Sequence, residues 1–193
     1  ILNGLSFYFL FGFGINCATN NNHPKAKVQN VDYLINQGKL LWDQRIDSLA
    51  LDKAEHFINL AHKQREDDFE LSILCSQVSF TRAYFFEKDI RIQDSLFFQG
   101  SQSCKNAIMI HQDFIPIYKL SKGDSAFKLL SAIADAPLST VPGLYWWAVN
   151  LGMYLNNQPV LDRIKQRELL EVIMHRVISL DPGFNFSGPY RFF

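Results

Sequence analysis

The chain has 193 residues, with 19 basic and 19 acidic side chains, a formal net charge of zero and 48% hydrophobic residues. The balanced charge excludes a polybasic nucleic-acid binder, because such proteins need an excess of cations against phosphates. The apolar fraction excludes a disordered acidic tail, since a chain this apolar buries enough surface to fold. The length favours one domain, with two small domains as the alternative.

The first part of the chain is uncharged, and Lys25 is its first charged side chain. Residues 5–15 are almost entirely apolar and aromatic. A helix over this run is about 16 Å long, whereas a membrane span needs roughly 20 residues. The segment is therefore typical of the apolar core of a signal peptide.

Cys17 follows this segment and precedes a polar stretch. The order resembles a bacterial lipoprotein signal, in which the cysteine becomes the lipid-modified first residue of the mature chain. We therefore expect a signal segment over residues 1–16, lipidation at Cys17 and a flexible tether over residues 17–30. The missing basic segment and the initial Ile1 indicate a truncated or misassigned start. An ordinary signal peptide or anchor and a buried apolar segment are the alternatives.

From residue 30 onward, apolar residues recur at spacings of three and four, with almost no strand-like alternation. This spacing places one apolar stripe on each helix and predicts an all-α fold. Thr140 before Pro142 and Asn157 before Pro159 are typical of helix starts. The predicted helices cover residues 28–44, 48–63, 68–87, 92–112, 124–134, 142–156 and 159–180.

Small residues recur seven positions apart in two of these helices, at Ala54 and Ala61 and at Gly100 and Ala107. Small side chains at such positions let two helix backbones approach closely. The two pairs are 46 residues apart instead of the ~34 of a regular tetratricopeptide (TPR) repeat. We therefore predict a degenerate TPR-like array of antiparallel helix pairs over residues 31–193.

Few residues point to bond-making chemistry. The five histidines include no pair at the i, i+4 spacing of a helical zinc site. The sequence also contains no phosphate-binding glycine loop and no nucleophile elbow. It therefore predicts no catalytic residue, no metal site and no cofactor. Cys75 and Cys104 lie in predicted helices, where they either form a disulfide or act as two small buried hydrophobes, the favoured interpretation.

Three adjacent aromatic residues, Tyr145, Trp146 and Trp147, lie in one predicted helix. At about 100° per residue they cover about 200° of its circumference, so at least one ring points away from any single core face. Trp146, Trp147 and Asn150, which shares the Trp146 face, are candidate ligand- or partner-binding residues. The alternative is a central helix that buries all three rings. The aromatic residues 84–86 raise the same question at a helix end, where a core position is favoured.

Gly188 and Pro189 predict a turn that rigidly places Tyr190 and Arg191. We interpret Tyr190 and Arg191 as further candidate partner-binding residues. In the alternative, Arg191 pairs with a carboxylate or caps the carbonyls at a helix end.

Two segments carry a family resemblance, residues 144–152 (Leu-Tyr-Trp-Trp-Ala-Val-Asn-Leu-Gly) and residues 181–191, which end in Gly-Pro-Tyr-Arg. They resemble an aromatic helix and a Gly-Pro-x-Arg segment of the TatT family, the T component of tripartite ATP-independent periplasmic (TRAP) transporters. Less specific similarity comes from residues 38–45, 54–61 and 100–107.

The resemblance implies a non-catalytic, TPR-like lipoprotein that is anchored to a membrane in the bacterial periplasm. Its implied partners are a substrate-binding P component and further copies of the chain, as a trimer. An excess of Phe agrees with passage of a hydrophobic small ligand, and nucleic acid is not expected. The family continues beyond Gly-Pro-x-Arg, so the chain is expected to be truncated after Phe193. A generic TPR-like scaffold lipoprotein that binds peptides or proteins is the alternative function.

Overall fold

A computed structural model describes residues 30–192. Within this range every regular element is helical, which confirms the predicted all-α class. Residues 1–29, with the predicted signal segment and Cys17, lie outside the described residues. The α-helices are α1 (Val31–Trp42), α2 (Ser48–His62), α3 (Phe69–Thr81), α4 (Ile90–Ile110), α5 (Phe114–Leu120), α6 (Ser125–Ala134), α7 (Val141–Leu155), α8 (Val160–Leu180) and α9 (Phe184–Ser187).

Short acidic and amide side chains mark most helix starts. An oxygen of the preceding side chain accepts a backbone N–H bond from the first turn of α1, α2, α3, α4 and α6. Such caps satisfy backbone donors that have no partner inside the helix. The capping residues are Asn30, Asp47, Asp68, Asp89 and Asp124. The seven predicted helices are confirmed, with ends shifted by at most three residues in all but the third, which ends at Thr81 instead of residue 87.

Two local features differ from the prediction. Helix α5 lies where no helix was predicted, because Pro116 weakens the helical pattern although it is tolerated in a first turn. The predicted helix over residues 68–87 is α-helical only to Thr81, and the segment Arg82–Phe86 continues as a wider π-helical turn. π-helical turns are rare and are often found at functional sites.

Consecutive long helices pack side by side. Helix α1 packs on α2, α2 on α3, and α7 on α8, while α3, α4 and α7 all contact one another. Helix α6 packs on α5 and α8. Helix α7 therefore lies at the centre, between α4 and α8 and beside α3. The finer TPR-like arrangement stays a prediction. Among residues 30–192, no helix has both the length and the apolar character that crossing a bilayer requires.

Apolar side chains form two main clusters, one within α1–α3 and a larger one around α4, α7 and α8. Cys75 lies in the first cluster and Cys104 in the second, and both are buried, free thiols. Loss of hydration on burial raises the pKa of each thiol to about 12. The two cysteines thus occupy the buried positions that the sequence favoured.

Candidate functional site

A cleft of about 1100 Å³ opens along α7, and we call it the α7–α8 cleft. Its lining comes from the end of α3 with the following π-helical turn, from α7, from the first half of α8 and from the C-terminal segment Gly188–Arg191 with Phe192. Small-molecule sites in proteins commonly measure about 300–1,000 Å³, so this volume accommodates a sizeable ligand.

Helix α7 contributes one continuous face to the cleft. Tyr145, Val149, Gly152 and Met153 line it at spacings of four, three and one, which is the spacing of a single helix face. Because α7 packs against both α3 and α8, this face lies between the two walls that those helices provide.

The wall at the end of α3 is aromatic. Phe80, Tyr84 and Phe85 line the cleft, and the rings of Phe80 and Tyr84 stack with centroids 5.5 Å apart. The π-helical turn accommodates an extra residue, so Tyr84 and Phe85 project outward instead of into the core. The side chain of Phe85 is 67% exposed. The prediction that residues 84–86 belong to the core was wrong, because the helix widens at this point.

The α8 wall mixes apolar and cationic side chains. Val160, Arg163, Ile164, Arg167 and Glu171 line the cleft from one face of the helix. Ile164 is 62% exposed although it is a large aliphatic residue. The Nε atom of Arg167 lies 2.6 Å from Oε1 of Glu171. These residues were not predicted from the sequence. The available signal was the spacing of four residues between Val160 and Ile164 and between Arg163 and Arg167.

The C-terminal segment closes one side of the cleft and is fastened to Tyr145. Asn185 Nδ2 donates a hydrogen bond to the Tyr145 hydroxyl at 2.9 Å, and the Phe184 and Tyr145 rings meet edge to face at 5.2 Å. Gly188 lies so close to the Tyr145 hydroxyl that no Cβ fits there. The glycine of the predicted Gly-Pro turn is therefore required by this close approach.

Asn185, Phe186 and Ser187 adopt left-handed backbone conformations, with φ between 47° and 58°. A residue other than glycine adopts this conformation at a cost of roughly 1–2 kcal/mol. The first of these three residues, Asn185, is held by its hydrogen bond to Tyr145.

Of the candidate residues from the sequence, Arg191 lines the cleft. Tyr190 is exposed and lies outside its lining. Trp146 packs behind the cleft, with its ring centroid 5.5 Å from Phe80 and 5.4 Å from Tyr145. Trp147 is buried in the core and borders a separate pocket of about 240 Å³ between α4, α7 and α8.

Asn150 is buried where α3, α4 and α7 meet, at a contact that we call the central crossing (Ser76, Gly100 and Asn150). Its Nδ2 donates to the Ser76 hydroxyl at 2.9 Å and to the Trp146 carbonyl at 3.1 Å. A Cβ atom on Gly100 would lie 2.7 Å from Asn150 Oδ1. The structure thus places Asn150 in the helix packing, away from the lining of the cleft.

The cleft offers binding chemistry. Its charged lining consists of three arginines and Glu171, and the remaining walls are mainly apolar and aromatic. Within residues 30–192 no group of three or more His, Cys, Asp or Glu side chains is arranged to hold a metal ion. The arrangement suits a ligand or partner that combines apolar surface with negative charge.

No protein-family model matches this chain, and no curated protein matches it. Fold and site together define an all-α protein with an open apolar cleft flanked by arginines.

Proposed function

We propose that the chain is a TatT-type T component, a non-catalytic accessory lipoprotein of a TRAP-type solute transport system. The main support is the position of the two segments that carry the family resemblance. Residues 144–152 contribute Tyr145, Val149 and Gly152 to the cleft, and residues 181–191 contribute Gly188 and Arg191. Two segments about 30 residues apart in sequence thus meet at one site.

In this role the protein works by docking and handover, without making or breaking bonds. It docks a substrate-binding P component and passes an apolar ligand through the α7–α8 cleft. The exposed rings of Tyr84 and Phe85 and the exposed Ile164 at the cleft give such a ligand apolar contact. We propose that the protein assembles as a homo-oligomer, a trimer by the family resemblance.

The experiment that tests this function is co-purification of the full chain with the periplasmic binding protein encoded beside its gene. We expect a defined complex, and size-exclusion chromatography with light scattering gives its stoichiometry. A binding protein from an unrelated transporter is the control and is expected to elute separately. Separate elution of the neighbouring binding protein contradicts the proposal, as does a gene neighbourhood without a binding protein and paired membrane components.

Membrane anchoring in the periplasm is a further part of the proposal and depends on Cys17. Cys17→Ser removes the thiol that carries the lipid, so we expect the protein to leave the membrane fraction. Thr19→Ala, two residues away, is the matched control and is expected to stay bound. Retention of the Cys17→Ser variant in the membrane fraction contradicts lipidation.

A TPR-like scaffold that grips peptides is the second candidate function. The observation that favours it is the presence of Arg163 and Arg167 inside the cleft, since cations on inner helices suit peptide carboxylates. Capture of varied unstructured peptides without a defined complex with the binding protein would favour this scaffold function.

A further inference from the structure

We propose that the α7–α8 cleft binds an anionic amphiphile, a molecule with one apolar chain and one negatively charged headgroup. This inference deepens the proposed ligand handling by the same cleft, on which it rests, and specifies the chemistry of the ligand. It is based on the charge of the lining, the position of the arginines and the exposed apolar surface beside them.

The charge of the cleft differs from that of the whole chain. The chain has a formal net charge of zero, but the lining contains Arg163, Arg167 and Arg191 against Glu171 alone. Glu171 already pairs with Arg167. Within residues 30–192 no salt bridge is formed by Arg163, so its guanidinium remains available to an anion.

The arginines lie on two sides of the cleft, two on α8 and one on the C-terminal segment. Arg163 and Arg167 are four residues apart on α8, which puts their Cβ atoms about 5–6 Å apart. Arg191 comes from the C-terminal segment and donates a hydrogen bond at 3.3 Å to the Asn185 carbonyl. The planar guanidinium forms paired hydrogen bonds with carboxylate and phosphate oxygens.

Apolar surface lies next to these cations. Val149 and Met153 line the cleft from α7, and Ile164 stands beside Arg163 on α8. Ile164 and Phe85 are both mostly exposed, so a hydrocarbon chain gains contact there by removing apolar surface from water. The volume of about 1100 Å³ leaves room for a chain of ten carbons.

The helical walls favour a small amphiphile over an extended peptide. Backbone N–H and C=O groups inside α7 and α8 are already paired within the helices. They therefore cannot form the main-chain ladder that holds a peptide added as a strand to a sheet edge. Only side chains remain to recognise the ligand, and these provide apolar contact and positive charge.

The test compares three probes with the same ten-carbon chain by isothermal titration calorimetry on the full chain carrying Cys17→Ser. Decanoate and decyl phosphate carry an anionic headgroup, and decyltrimethylammonium carries a cationic one. We expect one site per chain for both anions and affinity at least tenfold weaker for the cation. The ratio of the dissociation constants for decanoate and decyl phosphate shows whether the cleft prefers a carboxylate or a phosphate headgroup.

Two variants separate charge from apolar contact. Arg163→Gln is expected to weaken the binding of both anions about tenfold, in the range of a charged hydrogen bond. The same change is expected to strengthen the binding of the cation slightly, because one repelling charge is removed. Ile164→Ser is expected to weaken all three probes about fivefold by the same loss of apolar contact. Lys122→Gln removes an exposed cation outside the cleft and is the matched control, expected to change no affinity.

Absence of binding, equal affinity for anions and cation, or anion binding that Arg163→Gln leaves unchanged would each overturn the inference. These results are independent of the P component. If the anions bind selectively and no complex with the P component forms, the transport function fails and the amphiphile site stands. If the complex forms and the probes show no charge preference, the amphiphile site fails and the transport function stands.

Discussion

The central crossing and the α7–α8 cleft use the same two helices and differ in how completely they are covered. Asn150 of α7 and Ser76 of α3 are fully enclosed at the crossing. One turn further along each helix, Met153 and Phe80 line an open cleft. The enclosed crossing carries polar side chains and the open cleft carries large apolar ones, so apolar character alone does not decide which surface is covered. What decides it is the presence of α4 with Gly100 on one side of α7 and the polar first half of α8 on the other.

The largest expected effect comes from replacing a buried phenylalanine on α4, one turn before Gly100, and comparing it with an exposed phenylalanine of the cleft. Phe97 on α4 is 2% exposed, whereas Phe85 at the cleft is 67% exposed. Phe97→Ala is expected to lower the free energy of unfolding by about 4 kcal/mol, because it leaves a cavity in the packing. Phe85→Ala is expected to stay within about 0.5 kcal/mol. Urea denaturation measures both, and a similar loss for the two variants would show that the cleft is covered.

A second test adds volume to the crossing. The Cβ of Gly100→Leu would meet Asn150 at less than 3 Å, so the helices must separate. Overpacking of this kind is expected to cost about 3 kcal/mol. Gly183→Leu is the matched control, since a Cβ there has its nearest neighbour at 3.6 Å and is expected to cost under about 0.5 kcal/mol. Equal denaturation midpoints for the two variants would contradict a tightly packed crossing.

A third test removes the polar link at the crossing. Asn150→Ala deletes the hydrogen bonds to Ser76 and Trp146 and leaves a small cavity at the crossing, with an expected loss of about 2 kcal/mol. Asn156→Ala, at the exposed residue directly after the same helix, is the control and is expected to stay within about 0.5 kcal/mol. Thermal unfolding followed by circular dichroism is suitable, and a neutral Asn150→Ala would remove the structural role assigned to this side chain.

The smallest expected effect lies outside both regions, at the contact between α2 and α3. His62 Nε2 lies 3.0 Å from the Ser72 hydroxyl, and burial lowers the pKa of His62 below its ordinary value of 6.5, against the opposing charges of Glu66 and Asp68. As the pH falls, His62 is therefore protonated at a higher pH in the unfolded chain than in the folded protein. The contribution of His62 to stability is complete above about pH 6.5 and is lost as the pH falls through the folded pKa.

Urea midpoints at pH 7.5 and pH 5 measure this loss. His62→Gln is expected to reduce the difference between the two midpoints, and His56→Gln on the exposed face of the same helix is expected to retain it. If the difference between the midpoints is unchanged in His62→Gln, groups other than His62 cause the loss of stability at pH 5.

The helices were predictable because the 3.6-residue period and the capping residues are local properties of the sequence. Burial at the crossing was partly predictable as well, since Gly100 and Ala107 stood out as small residues seven apart, and both are buried. The enclosed position of Trp147 corresponds to the alternative of a central helix that buries its aromatic rings.

The cleft was not predictable, because it depends on where distant helices end relative to one another. The exposure of Tyr84 and Phe85 follows from a π-helical turn, for which an aromatic triplet at a helix end gives no signal. Arg163 and Ile164 look like an ordinary solvated helix face until α7 and the C-terminal segment are placed beside them. Arg191 was identified from its turn motif, without any indication of its neighbours.

The most direct test of an open, ligand-binding cleft beside a filled crossing is a methyl nuclear magnetic resonance titration of the full chain with decanoate. We predict that the methyl signals of Met153 and Ile164, at the cleft, move as decanoate is added. The signals of Ile108 and Met174, buried in the core, are predicted to stay in place. Shifts at Ile108 and Met174 with none at Met153 and Ile164 would contradict this prediction.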